Sequence, residues 1–474
     1  MTTKKYITIL ALPLLMVVAS CEKLKDFGDT NLNPAGTNAP ILSALLTNVE
    51  AGIGGYAAQT RGGLYAQLFS ETQYTDVSLY SLPQINFAGE YAGSLMDLQN
   101  IRNTNTSKNM SAVAKILQQY IYWTLTDRFG DLPFTEALTG NATPKFDTQE
   151  TIYKAILANL KSAVDEFDNT SIITGDIING GDAAKWKKFA NSLRLLISIR
   201  LAKVYPAADG YAATQFKDAL AHSAGVIGTN AENCVIAYAG GTFKNPWYST
   251  YDGRKDIAVS STMIAQLSAF SDTRMTAFAG ASETAGSTTT STVGVPYGVK
   301  RATAEAFTAA NPTWARVLRG NLRNDNSPLV VVGAAHVLLA RAAAAELGWT
   351  TESISAMYQA GVNASFEQWG LTAPAASYFT TTGVAIGAKG TNAKAIAIQR
   401  WIASYPDGLQ AWGIWRETGY PVLTPAVDAT NSTKLIPRRY TFGQNEYATN
   451  PVNTKAAATS MGGDTQDTKV WWDK

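Results

Sequence analysis

The sequence predicts an all-α protein. Apolar residues recur at the 3.6-residue helical period through most of the chain, capping residues stand just ahead of these runs, and short links join successive runs into pairs. An apolar share of 46% is ample for a large core.

The N-terminus is read separately. Lys4 and Lys5 head an apolar run, Ile7 to Ala19, with Pro13 in its middle. A membrane-spanning helix needs about 20 apolar residues, so this run is too short to span. A basic head, a short apolar stretch and small residues before a cut describe a secretory signal. The cut falls between Ser20 and Cys21. After Val18-Ala19-Ser20, Cys21 resembles the lipobox cysteine of bacterial lipoproteins, whose thiol takes acyl chains such as palmitate. Several chains make a stable anchor where one is marginal. The alternative is an ordinary signal peptide with an incidental cysteine. The expected organisation is a signal peptide at 1–20, a tether at 21–40 rich in Asn, Gly, Pro and Asp, and a helical domain at 41–474.

The helices follow in order. Ser111 to Phe129 is a buried-type helix ended by Gly130, with Pro133 beyond it. Asp147-Thr148-Gln149-Glu150 reads as a capping box. The helix after it lines Ile152, Tyr153, Ile156, Leu157, Leu160, Val164 and Phe167 on one face. Asp182 caps the next, with Trp186, Phe189, Leu193, Ile197 and Leu201 facing inward, and Tyr211 to Val226 is its partner. Val330 to Trp349 is an Ala-rich buried helix and Glu352 to Trp369 its return. Asn392 to Ser404 and Gly408 to Thr418 complete the set. Pairs of this kind suggest irregular tetratricopeptide-like repeats forming a curved scaffold. One long insert, Cys234 to Pro312, is rich in Gly, Ser and Thr, and inserts of that length are usually functional or disordered.

Composition excludes several chemistries. Cleavage removes Lys4 and Lys5 from the 39 basic residues, leaving 37 against 37 acidic ones. A formally neutral chain lacks the basic footprint of a nucleic-acid binder. If Cys21 carries lipid, Cys234 has no disulfide partner in the chain. His336 sits in an apolar helix and reads as a packing residue, while His222 has no motif around it. No phosphate loop, HExxH or G-x-S-x-G motif occurs. Asp127 and Asp131 straddle a helix end, where a cap and a turn acid are the ordinary reading of what could be taken for a glycosidase pair. The expectation is a protein that is not an enzyme and uses neither metal nor cofactor.

Several stretches together resemble the SusD/RagB outer-membrane lipoproteins: "YWTLTDRFGDLPFTEAL" (Tyr122 to Leu138), "PKFDTQETIYKAILANLKSA" (Pro144 to Ala163), "IINGGDAAKWKKFANSLRLLISIRLA" (Ile177 to Ala202), "WGIWRETGYPVL" (Trp412 to Leu423), "IPRRYTFGQNEYATN" (Ile436 to Asn450) and "GGDTQDTKVWWDK" (Gly462 to Lys474). The resemblance implies a lipid-anchored outer-membrane protein that faces the exterior. It implies capture of a glycan or oligosaccharide and its delivery to a SusC-like TonB-dependent transporter. One departure is expected to repack the fold locally: His336 and Ala343 stand where relatives carry acidic residues, with Glu346 as partial compensation.

Sugars offer C–H faces to aromatic rings and hydroxyls to polar side chains. Two loop regions have that composition. Glu71 to Leu82 carries Tyr74 and Tyr80. Tyr238 to Asp256 carries Phe243, Trp247, Tyr248 and Tyr251, interleaved with Asn245, Asp252 and Arg254. Trp247 is the leading candidate, its ring expected to be held exposed by Asn245 and Pro246. Other readings are a protein-interaction scaffold or peptide-binding lipoprotein without a glycan ligand and, less favoured, a helical glycosidase.

Overall fold

The computed structural model describes residues 40–81 and 84–474. The signal run and Cys21, with almost all of the tether, lie outside the described residues, as does Leu82. Helices α1 (Leu42–Ala57) and α2 (Thr60–Tyr65) lead into strand β1 (Phe69–Glu71). Then come α3 (Met96–Thr104), α4 (Lys108–Phe129), α5 (Gln149–Glu166), α6 (Ala183–Arg200) and α7 (Tyr211–Ala221). The insert contributes β2 (Cys234–Ile236), α8 (Pro246–Tyr251), β3 (Ile257–Val259), α9 (Ser261–Ala269) and α10 (Arg301–Ala310). Strand β4 (Leu329–Val332) precedes α11 (Ala334–Glu346), α12 (Ile354–Glu367), α13 (Ala393–Ala403), α14 (Gly408–Thr418) and α15 (Pro451–Met461). Consecutive helices pack against each other from α3 to α7, α11 packs on α12 and α13, and α13 packs on α14. The α6–α11 contact joins the two runs. Residues 42–474 form one compact unit. The mostly helical, tetratricopeptide-like fold expected from the sequence is present.

Local chemistry explains the helix ends. Ser107 caps α4 by accepting from the Met110 N–H, and nearly every residue of α4 is buried. Gly130 ends it at φ +84°, where an added Cβ would lie 2.6 Å from the Met461 sulfur. Asp182 caps α6 through the Ala184 and Lys185 N–H groups at 2.8 and 3.2 Å. The capping box before α5 is corrected: Thr148 is the cap. Asp147 instead accepts the Phe134 and Thr135 N–H groups at 3.2 and 2.8 Å.

Other boundaries also move. Val330 to Val332 forms part of β4, which pairs antiparallel with β2, so α11 begins only at Ala334. An apolar run bounded by Gly333 serves a buried strand as well as a helix. The 211–226 helix stops at Ala221. The insert is built from short elements rather than being one long loop.

Charged residues hold the scaffold from inside. Glu417, 6% exposed, accepts from Arg200 at 3.2 Å and from Arg400 at 3.0 Å. Arg194 binds Asp218. Arg416 lies 3.5 Å from the Trp412 ring centroid and 4.7 Å from that of Trp472. Asp127 accepts from Tyr153 and, at 3.0 Å, from the Trp472 indole. Asp131 accepts the Gln149 N–H at 2.9 Å at the start of α5. Both aspartates are therefore committed to structure.

His336 contacts the Ala403 carbonyl through Nε2 at 3.1 Å and accepts the Gly333 N–H through Nδ1 at 3.2 Å. Burial lowers its pKa to about 4, so the ring is neutral. Among the described residues Glu346 pairs with no arginine. It accepts from the Gly390 and Asn392 N–H groups, both at 2.8 Å, and from the Asn392 amide at 2.9 Å.

Candidate functional site

Strands β1 and β3 pair antiparallel, with Phe69 opposite Val259 and Glu71 opposite Ile257. This short ladder brings the loop after β1 beside the turn between α8 and β3. The two are then laced together. The Thr72 N–H donates to the Asp256 carbonyl at 2.9 Å, its hydroxyl to the Lys255 carbonyl at 2.5 Å, and Gln73 to the Asp256 carboxylate.

Between them opens a groove of about 470 Å³. One wall is Gln73 and Tyr74. The other is Gly253, Arg254, Lys255 and Asp256, with Tyr251 and Glu283 at the base. Gly253 takes φ +72°, which lets the Asp252-Gly253 turn present Arg254 and Lys255 in succession. Arg254 donates through Nε to Asp256 at 2.6 Å. Tyr74 is 52% exposed, and the Arg301 guanidinium lies 5.5 Å from its ring centroid. The arrangement offers one exposed aromatic face within reach of amide, guanidinium, ammonium and carboxylate groups.

The loop carrying Tyr74 is held from beneath. Glu71, 7% exposed, accepts the Ser78 N–H at 2.8 Å and the Ser78 hydroxyl at 2.7 Å. Burial raises its pKa to about 7, although the Ser78 donors and Arg61 oppose the shift.

The predicted residues divide. Tyr74, Tyr251 and Arg254 meet at the groove. Tyr251 is only 5% exposed; its hydroxyl donates to the Ile257 carbonyl and accepts the Val317 N–H, both at 2.7 Å. Tyr80 is buried at φ +65°, and its oxygen accepts from Ala426 at 2.9 Å and Tyr297 at 3.2 Å. Trp247 reverses the expectation of an exposed ring. It is 0% exposed and packs edge-on against Phe69 at 5.3 Å. Asn245 does fix it, accepting the Trp247 N–H at 2.7 Å and donating to the Ser327 carbonyl at 2.8 Å, but it fixes the indole inward. Phe243 is half-buried against Tyr238 at 4.7 Å. Tyr248, half-buried, lies under Lys244 at 5.3 Å, and exposed Asp252 pairs with Lys244 at 3.4 Å. None of Phe243, Asn245, Trp247, Tyr248, Asp252 or Tyr80 lines the groove.

Gln73, Gly253, Lys255, Asp256 and Glu283 were not singled out from the sequence. The first four lie inside the two loops chosen by composition, and the Asp-Gly turn was the available signal. Glu283 carries no local signal, because its neighbour across the groove is far away in the chain. Among the described residues no group of three His, Cys, Asp or Glu side chains is placed to hold a metal ion. No described helix is long and apolar enough to cross a membrane.

A profile of the SusD-like family, described as starch-binding and associating with the outer membrane, matches residues 34–443. The fold is similar to a SusD homologue from Bacteroides uniformis ATCC 8492, with a TM-score of 0.79 and 25% identity over 91% of this chain and 99% of that one. It is also similar to a chitin-binding protein, with a TM-score of 0.76 and 27% identity over 91% and 99%. A chitin-binding SusD homologue from Flavobacterium johnsoniae shares the fold at 23% identity, with a TM-score of 0.79 over 92% and 99%. No curated protein sequence matches the chain.

Proposed function

Since the chain belongs to the SusD-like family of outer-membrane-associated proteins, we propose that it captures a glycan in the Tyr74–Arg254 groove and delivers it to a SusC-like TonB-dependent transporter. The observation that carries this reading is the half-exposed Tyr74 ring facing Arg254, Lys255 and Asp256 across one groove. A sugar stacked on Tyr74 buries its C–H face there, while its hydroxyls exchange hydrogen bonds with Gln73, Arg254 and Asp256. Similarity to a chitin-binding protein at 27% identity supports a glycan as the ligand class. Lipid attachment at Cys21 is the proposed tether to the outer face of the membrane, and Cys21→Ala is expected to release the protein from it.

Titrating the purified protein with starch and chitin oligosaccharides, alongside product analysis, tests the reading. Unchanged bound sugar, lost in Tyr74→Ala, supports capture. Shortened sugar would make the protein a glycosidase. Binding that ignores Tyr74 would remove the groove from the reading, and a chain that binds only peptide or protein would be a scaffold.

A further inference from the structure

Both acids that line the groove are already matched, and one of its two cations is not. Asp256 is held by Arg254 and Gln73. Glu283, at the base, is held by Arg316 through Nη2 at 2.5 Å. Behind it, Arg323 lies 4.3 Å from the Tyr251 ring centroid and, among the described residues, donates to the Leu318, Glu283 and Ser282 carbonyls and pairs with no carboxylate. At the rim, exposed Lys255 takes part in none of the ion pairs among the described residues. Nearby Arg301 is neutralised by Glu305 at 2.8 Å, and Asp252 by Lys244. Asp76, on the Tyr74 loop, does not line the groove. Two cations, Arg254 and Lys255, and two acids, Asp256 and Glu283, line the cleft; with Arg254 on Asp256 and Arg316 reaching Glu283 from outside it, Lys255 is the lining charge left unmatched.

We propose that the groove selects a glycan bearing negative charge, a carboxylate or a sulfate ester, with Lys255 as the residue that meets it. This rests on the groove being the glycan site. The sugar ring stacks on Tyr74, and the anionic substituent lies towards the 254–255 turn. There the Lys255 ammonium supplies the unmatched charge, and Arg323 adds a buried positive field that solvent screens less than it screens a surface charge. A neutral chain of the same length makes the stacking contact and loses the ionic one.

The test compares three probes of equal length: an oligogalacturonate, a sulfated neutral oligosaccharide and an unmodified chito-oligosaccharide. Each is titrated at low and high ionic strength into the intact protein and into the Tyr74→Ala, Lys255→Gln and Lys185→Gln variants. Lys185 is exposed and lies on α6. The expected result is about fivefold tighter binding of an acidic probe at low salt, the scale of one partly exposed ion pair. That preference shrinks at high salt and disappears in Lys255→Gln, while Lys185→Gln keeps it. Whether uronate or sulfate carries the gain identifies the anion. Equal or tighter binding of the neutral probe overturns the charge assignment and leaves the groove in place, provided Tyr74→Ala still weakens it. An acidic preference that persists in Lys255→Gln, or falls equally in Lys185→Gln, overturns the role of Lys255. If Tyr74→Ala changes nothing, the groove itself is wrong.

Discussion

The scaffold and the groove use the same residue types in opposite states. In the scaffold, Arg416 is buried between Trp412 and Trp472, and Glu417 is shared by Arg200 and Arg400. At the groove, Arg254 shares Asp256 with Gln73 at the surface, and nearby Arg301 lies over the half-exposed Tyr74 ring. Buried, such a cluster fixes where helices sit, because a cation stranded in the core is costly. Exposed, it contributes little to folding and is free to meet a ligand. Residue type is a poor guide to role, and the solvent each group retains is a better one.

If that contrast is right, the largest effect comes from stranding buried charge. Glu417→Ala leaves Arg200 without its closest carboxylate and Arg400 without its one ion-pair partner among the described residues. Breaking such a pair costs about 3–5 kcal/mol. Denaturant melts should register the loss, and a cost under about 1 kcal/mol would break the comparison. Trp247→Ala is next. Emptying a fully buried indole site costs roughly 3–5 kcal/mol, with Phe69 losing its edge contact. Loss of ligand affinity without loss of stability would return Trp247 to the groove.

Glu50 sharpens the comparison through pH. It is 0% exposed, and its Oε2 accepts the Ile177 and Ile178 N–H groups at 2.6 and 3.2 Å. Burial first, then the Asp176 carboxylate, raises its pKa from 4.5 to about 9. Below 4.5 both folded and unfolded chains hold the proton. Between 4.5 and about 9 only the folded chain does, so this group's contribution to stability falls as pH rises across that window. Glu50→Gln keeps a neutral side chain and removes the slope. Urea melts should find the variant gaining roughly 1–3 kcal/mol on wild type between pH 5 and pH 8. Parallel pH profiles would mean Glu50 is ionised in the fold.

The smallest effect on folding belongs to Tyr74→Ala, whose stability change should stay within about 0.5 kcal/mol. Its effect on glycan affinity should be about tenfold, on the scale of roughly 1–3 kcal/mol for a lost aromatic stack. A marked loss of stability in this variant would make Tyr74 a staple like Trp247.

Much of the scaffold was legible because periodicity reports one face of one helix at a time. The inward faces of α5 and α6 follow from Ile152, Tyr153 and Ile156, and from Trp186 and Phe189. α15 was less visible, since its Ala- and Thr-rich run has little contrast between faces. Val330 to Val332 fits helix and buried strand equally well in sequence, because so short an apolar run carries no period. The groove was legible only in part. Composition found both loops, but Trp247 and Tyr74 look alike in sequence. What separates them is Phe69, a residue remote from Trp247 in the chain that meets its indole only after folding. Glu283 was invisible for the same reason.

The β1–β3 ladder has three rungs and adjoins both loops that line the groove. Side chains alternate faces along a strand, so a slip of one residue would replace Phe69 by Ser70 or Leu68 on the face that meets Trp247. Register is therefore locked by packing. The 252–255 turn beyond the ladder is exposed throughout, whereas Ser78 and Tyr80 of the other loop are buried and bonded to Glu71, Ala426 and Tyr297. The ladder is a fixed hinge point from which one exposed turn projects, so sequence change in that turn leaves the strand pairing and the helical body in place.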